Sequence, residues 1–133
     1  MRYLIDTNIL ISAVLFPKSI PAKAFIKAVT PPYSAVVCDY SIDEMRRVYN
    51  RKFTNRLADF ERFVSMLALL VELVPTPHED ESVEDENEIR DLNDRPIFRA
   101  AVAANVDGIL TGDKEFLDSG ITSPRILTAA EFI

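Results

Sequence analysis

The chain has 133 residues, 48% of them hydrophobic and 27% charged, a balance that suits one globular domain and excludes a fibrous repeat or a wholly disordered chain. Its one cysteine, Cys38, excludes an internal disulfide and a cysteine-built zinc site. A net charge of -6 argues against nucleic acid at first sight, but of 21 acids and 15 bases the stretch Glu79 to Asp91 takes eight acids and one base, leaving 13 acids against 14 bases elsewhere.

Arg2 to Ile5 reads as a short strand with no charged-then-apolar leader before it, so the expectation is a cytoplasmic protein. Thr7 to Phe16 continues as a helix apolar almost all round, ended by Pro17, and Ile20 to Val29 is a second, shorter helix closed by Pro31-Pro32. Ser34 to Cys38 is a second strand, in which Cys38 packs. Ser41-Ile42-Asp43-Glu44 has the form of a capping box and predicts the start of a third helix reaching about Lys52. Leu57, Phe60, Val64, Leu67 and Leu70 predict a fourth helix, followed by a short strand at Val71 to Val74. The longest apolar region, Phe63 to Val71, is far shorter than the roughly 20 residues of a membrane span.

The acidic stretch after Pro77 reads as a solvated loop with a helical turn near Asn87, and His78 as a solvated loop residue. Asp94 to Asn105 is a helix with Ile97, Ala101 and Ala104 on one face. The strand Gly108 to Thr111, a short element from Asp113 to Leu117 and a last strand at Arg125 to Leu127 follow. Thr128-Ala129-Ala130-Glu131 is a second capping-box pattern. Strands alternating with helices in this way predict an α/β fold, a doubly wound parallel sheet in one domain over residues 1–133.

In such a sheet the strand C-termini and the following helix N-termini share one edge, where ligands bind. Asp6, Glu44, Asp94 and Asp113 all map there. Each has a simpler reading as a helix cap, since carboxylates satisfy free N–H groups at helix starts. Their convergence favours a cation site, because crowded carboxylates repel one another unless a cation is present. Oxygen ligands without Cys or His suit Mg²⁺ or Mn²⁺. Asp91 is a rival to Asp94, and Asp39 to Glu44. Asp94 is preferred because Ile97 and Ala101 follow it at helical spacing; Asp39 reads as a turn residue and Asp43 as a solvated first-turn acid.

Asp6-Thr7-Asn8 after the first strand, Glu44 in Ser-Ile-Asp-Glu, Asp94 ahead of Pro96-Ile97, and Thr111-Gly112-Asp113-Lys114 together resemble the motifs of the PIN-domain family over essentially the whole chain. The ending Thr128-Ala129-Ala130-Glu131-Phe132 is similar to a bacterial and archaeal branch of VapC-like toxins. The resemblance implies a five-stranded parallel sheet and a metal-dependent ribonuclease, commonly the toxin of a toxin–antitoxin pair, dimeric and held by an antitoxin protein. It implies that Asp6, Glu44, Asp94 and Asp113 hold Mg²⁺ or Mn²⁺, with Asn8 and Thr111 as outer hydrogen-bonding groups and Glu115 in the place of a further family acid.

The cation would activate a water for in-line attack on phosphorus, since no histidine or tyrosine base is evident. Arg46, Arg47, Arg51, Lys52 and Arg56, with Arg95, Arg99 and Lys114, form a candidate phosphate track; the other reading of these residues is a solvated helix face. The alternatives at this point are an RNA-processing nuclease without an antitoxin, a non-catalytic RNA- or partner-binding module, a phosphoacceptor domain, for which paired acids near the N-terminus would be expected, and a metal-dependent phosphatase. The last would want an aspartate where Asn8 stands.

Overall fold

The structure is a computed structural model that describes residues 1–133. Five strands, β1 (Arg2–Ile5), β2 (Ser34–Cys38), β3 (Glu72–Val74), β4 (Gly108–Leu110) and β5 (Arg125–Leu127), form one parallel sheet in the order β3-β2-β1-β4-β5. The helices are α1 (Thr7–Leu15), α2 (Ile20–Ala28), α3 (Asp39–Lys52), α4 (Leu57–Leu70), α5 (Arg95–Ala103), α6 (Lys114–Leu117) and α7 (Ala129–Phe132). This is the doubly wound α/β arrangement that the alternation of elements predicts. No single helix is long and apolar enough to cross a membrane.

The period of two along each strand divides the core into two layers. Tyr3, Ile5, Ala35, Val37 and Leu110 face one side, where α1, α2, α3, α4 and α7 deliver Leu10, Phe25, Met45, Tyr49, Phe60 and Phe132. Leu4, Val36, Cys38 and Ile109 face the other, against Ile97, Phe98, Ala101 and Phe116 of α5 and α6. The Tyr3 ring lies where a Cβ on Gly108 would meet it at 2.7 Å, so this register needs glycine at the start of β4.

Two expectations are corrected. α3 begins at Asp39, not at a Ser41 cap: β2 runs straight into the helix, and Ser41 is buried with its Oγ 3.5 Å from Cys38 Sγ. Its N-terminus is satisfied from across the sheet edge, because the Tyr40 N–H donates to Thr76 Oγ1 (3.3 Å) and that hydroxyl donates to Asp39 Oδ1 (2.5 Å). Nor is the acidic segment a wholly solvated loop. It makes two short 3-10 turns, at Glu79–Glu81 and Glu86–Glu88, and buries Glu86 and Ile89. Glu86 forms a buried ion pair with Arg99 of α5 (3.1 Å), and Arg95 Nε donates to the Ile89 carbonyl (2.9 Å).

Candidate metal centre

The strand order reverses between β1 and β4, and at such a switch point the connections leave in opposite directions and open a crevice beyond the strand ends. Asp6 leaves β1 directly into this crevice and caps α1, its Oδ1 accepting from the Thr7 N–H at 2.7 Å. Thr111 leaves β4 beside it. The Thr111 hydroxyl donates to Asp6 Oδ2 at 2.6 Å and accepts from the Asp113 N–H at 3.0 Å, so one buried side chain ties the two strand ends together. Asp113 Oδ1 accepts from the Glu115 N–H, and Asp91 Oδ1 from the Asn93 N–H, both at 2.9 Å. Backbone amides thus orient three of the carboxylates.

Asp91, Asp94 and Asp113 each offer a carboxylate oxygen within 4.8 Å of the others. Asp6 and Asp94 are only 2% and 6% exposed, and Asp94 Oδ2 is buried without any hydrogen-bond partner. Burial pushes the Asp94 carboxyl up to about 9, with the neighbouring charges of Asp6, Asp113 and Asp91 adding to it. Asp6 is pushed up to about 6, again by burial first, with Glu44 and Asp113 adding; the bonds from Thr111 and Thr7 oppose the rise. A buried carboxylate that keeps one oxygen without a donor and clusters with two further carboxylates fits a divalent cation, and the all-oxygen donor set fits Mg²⁺ or Mn²⁺.

The helix-cap readings divide in the fold. Asp6 and Asp113 do cap α1 and α6. Asp94 occupies the cap position of α5 but makes no side-chain cap bond, and Glu44 lies in the second turn of α3, beyond the reach of its N-terminal amides. Glu44 is half-buried and close enough to Asp6 to raise its pKa. Asp91, a rival to Asp94 on sequence grounds, belongs to the same cluster, because Asp91 and Asp94 close one turn, the Asp94 N–H donating to the Asp91 carbonyl at 3.0 Å. Asp39 lies in the first turn of α3, engaged with Thr76, and Asp43 is exposed.

The outer groups divide as well. Asn8 is exposed and makes no side-chain hydrogen bond, unlike Thr111. Glu115 supports Asp113 through its backbone amide, while its side chain lines a separate surface recess with Glu88, Arg90, Lys114 and Asp118. Among the bases, Arg99 is withdrawn from any phosphate track by its burial with Glu86, Arg95 is engaged by Ile89, and Arg46 pairs with Glu61 at 2.8 Å. Arg56 pairs with Asp59, whereas Arg47, Arg51, Lys52 and Lys114 are exposed and form no ion pair. His78 is exposed and bonded to Asp80, as a solvated loop residue would be. Sequence reasoning passed over Tyr40, which stands half-buried at the rim with the Arg47 guanidinium 5.6 Å from its ring centroid. Its spacing of four from Glu44 and seven from Arg47 on α3 was the one signal that could have found it.

A family model described as PIN domain matches residues 2–115. No curated protein sequence matches the chain. Among solved structures the fold is similar to VapBC2 from Rickettsia felis, bound to a DNA fragment from its promoter, with TM-score 0.69 and 16% identity over 96% of this chain and 98% of that one. It is similar to VapBC-1 from nontypeable Haemophilus influenzae, with TM-score 0.65 and 18% identity over 98% and 99% of the two chains. It is also similar to VapC20 of Mycobacterium tuberculosis, a Sarcin-Ricin loop cleaving toxin, with TM-score 0.63 and 11% identity over 90% and 96%. At these identities the likenesses establish the fold, and with the family match over most of its length, the chain belongs to the PIN-domain family.

Proposed function

We propose that the protein is a divalent-metal-dependent endoribonuclease and the toxin of a toxin–antitoxin pair. The observation that carries the nuclease reading is Asp94, which has a buried, unpartnered oxygen and brings a carboxylate oxygen within 4.8 Å of Asp91 and Asp113, beside an Asp6 fixed by two hydrogen bonds. Asp6, Asp94 and Asp113, with Glu44 and Asp91, would hold Mg²⁺ or Mn²⁺. A cation there supplies an activated water and charge for the leaving oxygen of a phosphodiester.

The chain's own residues do the positioning. Thr111 holds Asp6 and the turn before Asp113 in one geometry, so the carboxylates need little rearrangement when the site is filled. Arg47, Arg51, Lys52 and Lys114 offer unpaired positive charge on either side of the acids for an RNA backbone. The toxin assignment and an antitoxin partner draw support from the fold's likeness to VapC20 and to the VapBC structures.

The test is incubation of purified protein with labelled single-stranded RNA and Mn²⁺ or Mg²⁺, alongside a chelator control and Asp6→Asn. Cleavage that needs both metal and Asp6 is the expected result; cleavage that survives Asp6→Asn would remove the assigned centre. Induced expression in a bacterial host tests the toxin role separately. Wild-type protein should arrest growth and Asp6→Asn should not.

A further inference from the structure

Most arginines near α3 are spoken for. Arg46 pairs with Glu61, Arg56 and Arg62 share Asp59, and Arg2 and Arg99 pair with Glu72 and Glu86. Arg47 and Arg51 pair with no carboxylate, although acids are plentiful around them. They stand one turn apart on the face of α3 that carries Glu44, and with Glu44, Val48 and Asn93 they line a recess between α3 and the turn before α5. Its volume of about 180 Å³ is below the roughly 300 Å³ of ordinary small-molecule sites and is ample for a phosphate group and its waters.

Arg47 also has an aromatic neighbour. Tyr40, seven residues earlier on the same helix face, packs against the core layer of Leu4, Val36 and Ile97 and presents its ring to the guanidinium. A guanidinium ordered before the ligand arrives loses less entropy on forming its paired hydrogen bonds to phosphate. The recess also lies at a set distance from the chemistry. At 1.5 Å per residue, Arg47 and Arg51 are about 4.5 Å and about 10.5 Å beyond Glu44 along the axis of α3.

Building on the nuclease reading above, we propose that this recess binds the phosphate next to the scissile one. The enzyme then recognises a phosphodiester within a polymer and discriminates against an isolated one, with Arg47 and Arg51 as the residues that read the second phosphate and Tyr40 as the residue that positions Arg47.

The experiment uses a short series of synthetic RNAs with Mn²⁺: a dinucleotide with a single phosphodiester, the same molecule carrying a 5′- or a 3′-phosphate, and a hexamer. One of the two terminal phosphates should raise kcat/KM by about ten- to a hundredfold, the worth of a charge-assisted hydrogen bond, and which end does so gives the strand direction. In Arg47→Ala and Arg51→Ala the ratio between phosphorylated and bare dinucleotide should fall towards one. Arg47→Lys should restore part of it, and Tyr40→Phe should keep it where Tyr40→Ala does not. Hexamer binding by fluorescence anisotropy in Ca²⁺ should show a salt slope shallower by about 0.7 for each phosphate the variant no longer neutralises. A hexamer cut well, with neither terminal phosphate helping the dinucleotide or with the ratio unchanged in both arginine variants, would overturn the subsite and leave the nuclease standing. An uncut hexamer would sink the nuclease reading, and the anisotropy slopes would still decide whether the recess takes phosphate.

Discussion

Asp94 is the residue at which folding and the proposed metal-binding role oppose each other. Its carboxyl ordinarily titrates near 3.8 and in the fold near 9, so its contribution to stability is complete only below about pH 4 and is lost progressively as the pH rises towards 9. Asp6 adds a narrower window of the same sign, between 3.8 and about 6. Metal-free protein should therefore show a falling Tm from these two groups between pH 5 and pH 9, and Asp94→Asn should flatten that fall and raise Tm at pH 8 by about 5 °C. Mn²⁺ should raise the Tm of the wild type at pH 8 and have much less effect on the variant, since a ligand stabilises only the fold that binds it. Thermal melts with and without chelator decide; an unchanged pH slope in Asp94→Asn would show that the burden lies elsewhere. The placing of Asp6, Asp94 and Asp113 at one sheet edge was legible in the sequence because each adjoins a strand end or a helix start. Asp91 was legible only as a rival to Asp94, because a spacing of three within a turn gives no sign of which carboxylate joins the cluster, and here both do. Asn8 shows the converse: its place in a motif suggested an inward hydrogen bond, and its side chain faces solvent.

Among the elements, periodicity located the strands and the long helices because their apolar faces are continuous, as in the two alternating faces of β2 or the Phe60, Phe63 and Leu67 face of α4. The start of α3 was misplaced because its cap comes from Thr76, 36 residues away from Tyr40, and no local pattern carries that information. The acidic segment misled for a related reason. Its composition describes a solvated loop, yet Glu86 and Ile89 anchor it to α5, and the anchors precede Asp91 by only a few residues. Glu86→Ala should destabilise the protein by about 3–5 kcal/mol, since it strands the buried Arg99 without its partner, while Glu86→Leu with Arg99→Met should recover much of that loss. Denaturant unfolding of the three proteins measures it. A single variant costing no more than an exposed ion pair, about 1 kcal/mol or less, would show that the segment is held by Ile89 alone.

For the whole molecule, the doubly wound class was readable from the alternation of elements, whereas the order β3-β2-β1-β4-β5 rests on pairings such as Leu4 with Ile109, more than 100 residues apart. That order places the acids at a switch point and sets the acidic segment, through Asp91, against the site itself. The chain's excess of acids is thus concentrated in one segment beside the candidate site. Under the proposed function this segment repels the substrate at long range while Arg47, Arg51 and Lys114 attract it at short range, and salt separates the two because exposed charges are screened beyond about 8–10 Å at physiological ionic strength. Glu79, Glu81 and Glu84 are exposed and make no ion pair, so changing all three to Gln removes repulsion without disturbing the Glu86 anchor. The triple variant should associate with single-stranded RNA severalfold faster than the wild type at low salt and no faster at about 0.5 M salt, where screening is nearly complete. Stopped-flow association rates across a salt series test this. A rate gain that persists at high salt would mean that the segment obstructs the crevice sterically, and no gain at any salt would mean that RNA approaches from the side of α3, away from the segment's field.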